Sequence, residues 1–285
     1  MLRRLPRLAF YPLAACLPML GLLVAFSPAA GASTASHVSA RASALAAAVA
    51  ELKQLKVGDH ATNRAVGHGV KVNGLTQVSS LNWAGYADDN TAGNTYTTVT
   101  GNWSEPAVTC PRHGTLLAVF WVGIDGFTSG TVEQDGTLAQ CNHGAASYFT
   151  WWEMFPTNSI QVVGSSVSPG DSVSSSVVRS GSSYTLKVTD STHPANSFST
   201  TQSCSTCTNT SAEWIAEAPS SGSKILPLAN FGTWTETGAT VNSGVISSFP
   251  DDELTMVNNS GAVKALPGPL NGSGNGFSAT WESSN

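Results

Sequence analysis

Carboxylates set among aromatic residues are the groups of this 285-residue chain that could do chemistry. Alternate residues of a β-strand share a face. In LLAVFWVGID (116–125) Trp121 and Asp125 therefore point the same way, in WWEMFP (151–156) Trp151, Glu153 and Phe155 do, and in AEWIAEA (212–218) Glu213, Ile215 and Glu217 do. Three strands thus each bring a carboxyl group to an otherwise apolar face. Such surroundings raise a carboxyl pKa and fix its position, which suits a general acid or base. Other hydrolytic chemistries lack their parts. Only His113, His143 and His193 follow residue 78, and no Ser sits in a Gly-x-Ser-x-Gly elbow. Neither a pair of Asp-Thr/Ser-Gly motifs nor His-Glu-x-x-His occurs.

The elements that must position these groups read as strands. Only 11% of residues are charged against 41% hydrophobic, with Gly 27, Pro 14 and Trp 8, which excludes a disordered polyelectrolyte and a coiled coil. Period-two alternation is clearest where Tyr184, Leu186 and Val188 interleave with Thr185, Lys187 and Thr189. The runs 95–103, 116–125, 148–155, 172–178, 212–218 and 241–247 read likewise, with turn signals at Pro169-Gly170-Asp171, Ser180-Gly181-Ser182 and Asp135-Gly136. Many short strands without a long amphipathic helix imply one all-β domain, an antiparallel sandwich over residues 79–285.

Two segments precede it. Residues 1–32 have a basic start (Arg3, Arg4, Arg7), an apolar stretch and Ala30-Gly31-Ala32, the pattern of a secretory signal peptide. Pro12 and Pro18 interrupt the apolar stretch and argue against a retained membrane anchor, so a secreted, extracellular product is expected. Residues 33–78 are Ala-rich and basic, with one helix over 42–56, and read as a propeptide rather than a linker. Residues 1–78 hold eight basic and two acidic groups, +6, whereas residues 79–285 hold 5 basic and 16 acidic, −11. A basic segment can dock on an acidic cleft and block it as an intramolecular inhibitor. The acidic body argues against nucleic acid as a partner.

Cys16 lies in the signal segment, leaving Cys110, Cys141, Cys204 and Cys207. An even number in an exported chain favours two disulfides. Of three possible pairings, Cys110–Cys141 with the local Cys204–Cys207 is preferred, because the second pair shares a Ser/Thr loop. No second Cys-x-x-Cys or spaced His pair completes a zinc site, so no metal or other cofactor is expected.

Five segments in order, NWAGY (82–86), WVGIDG (121–126) with VEQDG (132–136), TWWEMFP (150–156), SAEWIAEAP (211–219) and LANFGTW (228–234), resemble the glutamic peptidases, or eqolisins. The likeness spans about residues 80–250. It implies a concanavalin-like β-sandwich of two seven-stranded sheets, a removable basic propeptide, polypeptide substrates and a Gln/Glu catalytic dyad. Carried over by motif, the dyad is Gln134 and Glu213, and Trp83, Trp121, Asp125 and Glu153 fall around the substrate cleft; Trp151, on the Glu153 face by alternation, is a further candidate for substrate contact. Glu213 would take a proton from the attacking water while the Gln134 amide stabilises the oxyanion, with no metal or covalent intermediate. This sequence departs from the fungal pattern at Asp135, where a small or hydroxyl residue is usual, and at Phe149, where an Asp is usual. An acidic pH optimum, milder than that of the fungal enzymes, follows. Residues 250–285 are expected to add an edge strand near Phe277–Trp281 after a flexible loop. Two competing readings are a carbohydrate-binding sandwich and a glycosidase using Glu213 and Glu153 as a carboxyl pair. A monomer is the default for a small secreted hydrolase.

Overall fold

The computed structural model describes residues 42–43, 46–54, 62–72, 74–163, 167–249 and 251–285. The expected signal segment and the first part of the propeptide lie outside the described residues. The strands are β1 (Ala65–Val72), β2 (Leu75–Ser80), β3 (Trp83–Asp89), β4 (Thr98–Ser104), β5 (Thr115–Ile124), β6 (Val132–Asn142), β7 (Ala145–Phe155), β8 (Asn158–Val162) and β9 (Ser172–Ser180). They continue with β10 (Ser183–Asp190), β11 (Phe198–Ser203), β12 (Ser211–Glu217), β13 (Ser220–Ser221), β14 (Lys224–Ile225), β15 (Thr233–Val241), β16 (Asp251–Val257), β17 (Val263–Pro267) and β18 (Phe277–Trp281).

The period-two runs fold as their alternation requires. In β10, Tyr184, Leu186 and Val188 are buried while Lys187 is exposed, so one face joins a core and the other meets water. The ladders run β11-β10-β9-β4-β15-β18-β17-β16-β3-β12-β5-β6-β7-β8, within a 16-stranded sheet that folds into two layers. Where the resemblance implies two separate seven-stranded sheets, β15 joins the layers into one path. Thr233–Glu236 pair with β18, and Thr237, Thr240 and Val241 pair with β4, with a register irregularity between Thr237 and Thr240. Gly238, at φ +60°, takes the left-handed backbone that this corner needs.

Between the layers lies a core containing Trp103, Phe120, Val177, Leu186, Trp214 and Trp234. Phe120 stacks on Trp234 at 5.6 Å between centroids. The opposite face of the larger layer carries a second apolar cluster, with Trp83, Trp121, Phe149, Trp151 and Ile215. Both expected disulfides, Cys110–Cys141 and Cys204–Cys207, are formed.

Four local readings are corrected. Asp135-Gly136 is no turn but the middle of β6, because a Cβ on residue 136 would stand 2.0 Å from the Phe120 carbonyl oxygen and glycine alone admits that approach. The run 241–247 ends as a strand at Val241, with a short 3-10 turn over Ile246–Ser248. The loop expected before residue 277 contains β16 and β17, hidden from the alternation rule because Asp251 and Asp252 are buried. β18 is no edge strand, since it lies between β15 and β17.

Upstream, residues 46–54 are helical, as the Ala-rich run implies. β2 pairs parallel with β16, Thr76–Ser80 against Asp252–Met256, so a domain boundary at residue 78 falls inside a paired strand.

Candidate active site

Five neighbouring strands carry one lateral row of residues. Ala87 lies opposite Glu213, Glu213 opposite Gly123, Gly123 opposite Gln134, and Gln134 opposite Glu153. Opposed residues of antiparallel strands project to the same side, so Glu213, Gln134 and Glu153 face together. The adjacent row holds Ile215, Trp121, Gly136 and Trp151, and the next holds Trp83, Glu217, Val119, Leu138 and Phe149. The result is a strip of polar groups walled by three indoles.

Gly123 keeps that strip open. A Cβ there would stand 2.8 Å from the Trp121 ring and 3.2 Å from the Gln134 Cβ, so the indole lies over the gap that a side chain would fill. With strands about 4.8 Å apart, Glu213 and Gln134 are about 10 Å apart at the backbone. Glu213 and Glu153 are three spacings apart, about 14 Å, with Gln134 between them. Gln134 stands in the row between the two carboxyl-bearing residues and is bonded to Glu153.

Gln134 Nε2 donates to Glu153 Oε2 at 2.6 Å. The amide is thereby held with its second N–H available for another acceptor, and its Oε1 has no partner. Glu213 is fully buried; neither oxygen makes a hydrogen bond of good geometry, and Ser211 and the Phe127 backbone are near enough to oppose burial in part. Burial pushes its pKa well above the usual carboxyl range, and the nearby Asp125 and Glu133 push it further. Burial thus favours its neutral form.

Glu217 aims the indoles. Its Oε2 accepts from Trp121 Nε1 at 2.9 Å and its Oε1 from Asn82 Nδ2 at 3.3 Å, while Trp83 meets Trp121 edge-on at 4.9 Å. Burial raises the Glu217 pKa to about 8. Asp125 follows directly on β5 in the left-handed region, at φ +70°, a backbone that Asp tolerates better than most residues. Its carboxylate accepts from the backbone N–H groups of Thr208, Asn209 and Thr210 and from the hydroxyls of Thr131, Thr208 and Thr210. It thereby clamps the loop that leads into the Glu213 strand.

The strip is covered. Gln134 is 1% exposed, and Glu153, Glu213 and Trp121 are 0% exposed. Leu52 of the 46–54 helix is buried in the Trp83–Trp121–Trp151 cluster, with Ala48 and Val49 packed against it. Glu51 accepts from Thr115 Oγ1 at 3.1 Å and from Asn142 Nδ2 at 2.5 Å at one end of β5 and β6. Just past the other end of β5, the Asn63 N–H donates to the Gly126 carbonyl at 2.9 Å.

Of the residues singled out in the sequence, Trp83, Trp121, Gln134, Trp151, Glu153 and Glu213 share one face. Asp125 instead spends its carboxylate on a loop, and Glu153 touches Gln134 directly. Sequence reasoning put Glu217 on the correct face but gave it no role, and it passed over Asn82. The signal for both was present: Glu217 is four strand residues from Glu213, and Asn82 opens the first motif. Glu133, Cys204 and Cys207 bring potential metal-ligand atoms within 4.8 Å of one another. The disulfide removes the thiolates that a metal would need.

A carboxyl group and an amide thus share one aromatic-walled face of a β-layer, an arrangement chemically able to support hydrolysis. Comparison with known proteins agrees. The profile of the peptidase A4 family matches residues 81–264. Aspergillopepsin-2 of Aspergillus niger is 31% identical over 211 residues, 66% of this chain and 73% of that protein. Scytalidopepsin B of Scytalidium lignicola is 31% identical over 200 residues, 66% and 74% respectively. The fold is similar to scytalido-glutamic peptidase solved with a transition state analog inhibitor, with TM-score 0.59 and 24% identity over 70% of this chain and 98% of that one. The chain belongs to the peptidase A4 family and is a peptide-bond hydrolase.

Proposed function

We propose that the chain is a secreted endopeptidase, made as a zymogen, that cleaves polypeptides at acidic pH with Glu213 as general base and Gln134 as oxyanion donor. The observation that carries this reading is the shared row in which Gly123 alone separates Glu213 from a Gln134 amide fixed by Glu153. Glu213 removes a proton from the water that attacks the scissile carbonyl. The second N–H of Gln134 donates to the developing oxyanion, and Glu213 then returns its proton to the leaving amine. No metal or covalent intermediate enters these steps. Trp83, Trp121 and Trp151 wall the substrate cleft, Glu153 orients Gln134, and Asp125 holds the start of the Glu213 strand.

A buried neutral Glu213 cannot act as a base, which fits a latent state. The 46–54 helix, seated on the aromatic cluster, serves as part of an intramolecular inhibitor. Processing upstream of β2 would remove it while leaving β2 on β16. With the cover gone, water reaches Glu213 and its pKa falls toward the usual range. The mature enzyme is then a soluble monomer.

The test is cleavage of an unfolded protein from about pH 2 to 7 by mature wild type and by E213Q, with pepstatin and a chelator as controls. Wild-type activity resistant to both, absent in the variant, is expected. Substantial activity in folded E213Q overturns the assignment.

A further inference from the structure

Residues 62–64, just ahead of β1, run past Asn82 with their main chain gripped on two sides. The Thr62 carbonyl accepts from Asn82 Nδ2 at 3.1 Å, and the Arg64 N–H donates to Asn82 Oδ1 at 2.9 Å. Between them the Asn63 N–H donates to the Gly126 carbonyl at 2.9 Å. In an extended chain the carbonyl of one residue and the N–H two residues on point to one side, and the N–H between them points to the other. The Asn82 amide thus stands where one residue of a neighbouring strand would, and the Gly126 carbonyl closes the opposite edge. The Arg64 carbonyl continues the pattern by accepting from the Leu81 N–H at 3.0 Å. Side chains add an exposed contact of Arg64 Nη1 to the Ser223 carbonyl and a long one of Asn63 Nδ2 to the Phe127 carbonyl, at 3.4 Å. The grip is therefore chiefly on the main chain.

Asn82 is 0% exposed, and the body fixes each end of its amide by one bond. Ser80 Oγ donates to Oδ1 at 3.1 Å, and Nδ2 donates to Glu217 Oε1 at 3.3 Å. Each end has one further valence, and both are taken up by residues 62–64. If the leader departs as the proposed processing requires, a buried donor and a buried acceptor lose their partners, a cost that another extended chain in the same place removes. That place adjoins the aromatic-walled strip. Glu217 also holds the Trp121 indole, a Cβ on Gly126 would stand 3.2 Å from Trp83 Cη2, and the Phe127 backbone lies near Glu213. We propose that Asn82 and the Gly126 carbonyl bind the main chain of the polypeptide substrate beside Glu213, and that residues 62–64 occupy this subsite as a stand-in substrate in the latent chain. The inference rests on the peptidase reading and adds the groups that grip a substrate without regard to its sequence.

Binding to an inactive chain tests this apart from catalysis. Full-length E213Q is folded, cut by a site-specific protease at a site inserted beside Gly74, where a Cβ would meet nothing within 4 Å, and freed of its leader. The probe is a fluorescent peptide of residues 60–66, HATNRAV, read by anisotropy. It should bind, and oxidised insulin B chain, an unrelated unfolded polypeptide, should displace it. An ester in place of the Asn63–Arg64 amide removes the Arg64 N–H without adding bulk and should weaken binding about tenfold. In Asn82→Ala the same ester should cost less than about twofold. An ester at the Thr62–Asn63 bond, whose N–H is taken by Gly126, should weaken binding equally with and without Asn82. No binding of the peptide, or no loss from either ester on the unsubstituted Asn82 site, overturns the subsite, and that comparison needs no folded Asn82 variant. An equal loss from the first ester in both chains overturns the role of Asn82. Binding that insulin B chain leaves undisturbed makes the contact a leader anchor and overturns the substrate role. Should these bindings hold while mature wild type cleaves nothing, the peptidase mechanism fails and the subsite stands.

Discussion

Placing one methyl group at Gly123 tests the proposed catalytic row directly. In G123A the new Cβ would lie 2.8 Å from Trp121 Cζ3 and 3.2 Å from the Gln134 Cβ. Neither neighbour has room to yield. Trp121 is fully buried, its indole N–H is held by Glu217 at 2.9 Å, and Trp83 blocks it edge-on. Gln134 is held by Glu153 at 2.6 Å. Overpacking of this kind costs about 1–3 kcal/mol, which for a domain of this size lowers Tm by about 2–12 °C. The effect on catalysis is larger than the effect on folding. Relieving the clash moves the ring or the amide by several tenths of an ångström, and misplacement approaching 1 Å costs about 10² in rate. The assay is kcat/KM on a peptide substrate at a temperature where circular dichroism shows the variant fully folded. Folded G123A with activity within twofold of wild type would refute the view that Glu213, Gly123 and Gln134 form the working row.

Other perturbations follow from the same contacts. Gln134→Ala should lower kcat by about 10²–10³ with the fold intact; an unchanged rate in a stopped-time assay would make Gln134 structural. Glu217→Gln sets an amide N–H₂ against one of two donors, Trp121 Nε1 and Asn82 Nδ2. It should cost about 1–3 kcal/mol and raise KM more than it lowers kcat, so a kinetic profile with only kcat altered contradicts the positioning role. Burial raises Glu105 and Glu217 to about 8 and Glu133 to about 9. These folded values lie above the unfolded ones, so stability is full below about pH 4.5 and falls, by up to about 1.4 kcal/mol per pH unit per group, as pH rises toward 8. Tm measured by calorimetry should therefore drop between pH 4 and pH 7, and a rise would contradict these environments. Removing Cys110–Cys141, 31 residues apart, should cost about 3–4 kcal/mol, more than removing Cys204–Cys207, 3 residues apart, in urea titrations.

The legible parts of the fold are those where polarity and burial agree. β10 and β12 alternate, or bury apolar residues, as strands should, and the Glu213 face follows from counting along AEWIAEA. β6 and β16 resisted reading because they break that agreement. VEQDGTLAQCN buries Glu133, Gln134, Asp135 and Gln140, and DDELTMV buries two aspartates. A polar run with Asp-Gly in it looks like a turn until the strands on either side are known. Gln134 thus came within reach through family likeness alone, and its link to Glu153 is a cross-strand contact that no spacing within one segment encodes. Asp125 illustrates the converse. Its position was legible, but its three backbone donors come from Thr208, Asn209 and Thr210, more than 80 residues away, so its work as a clamp was not.

Charge suggested that a basic leader holds an acidic body, yet the described contacts of the cover are of another kind. Leu52 packs on indoles, Glu51 accepts from a hydroxyl and an amide, Arg64 Nη1 donates to the Ser223 carbonyl, and no ion pair joins the leader to the body among the described residues. Apolar burial and neutral hydrogen bonds are little affected by salt, unlike exposed ion pairs. They also exclude water, and exclusion of water is what keeps Glu213 neutral. Under the proposed function, the cover and Glu213 are therefore coupled through hydration rather than through charge. Any opening that lets water reach Glu213 lowers its pKa, and the carboxylate so formed disfavours return of the apolar cover. Release under this logic reinforces itself once begun.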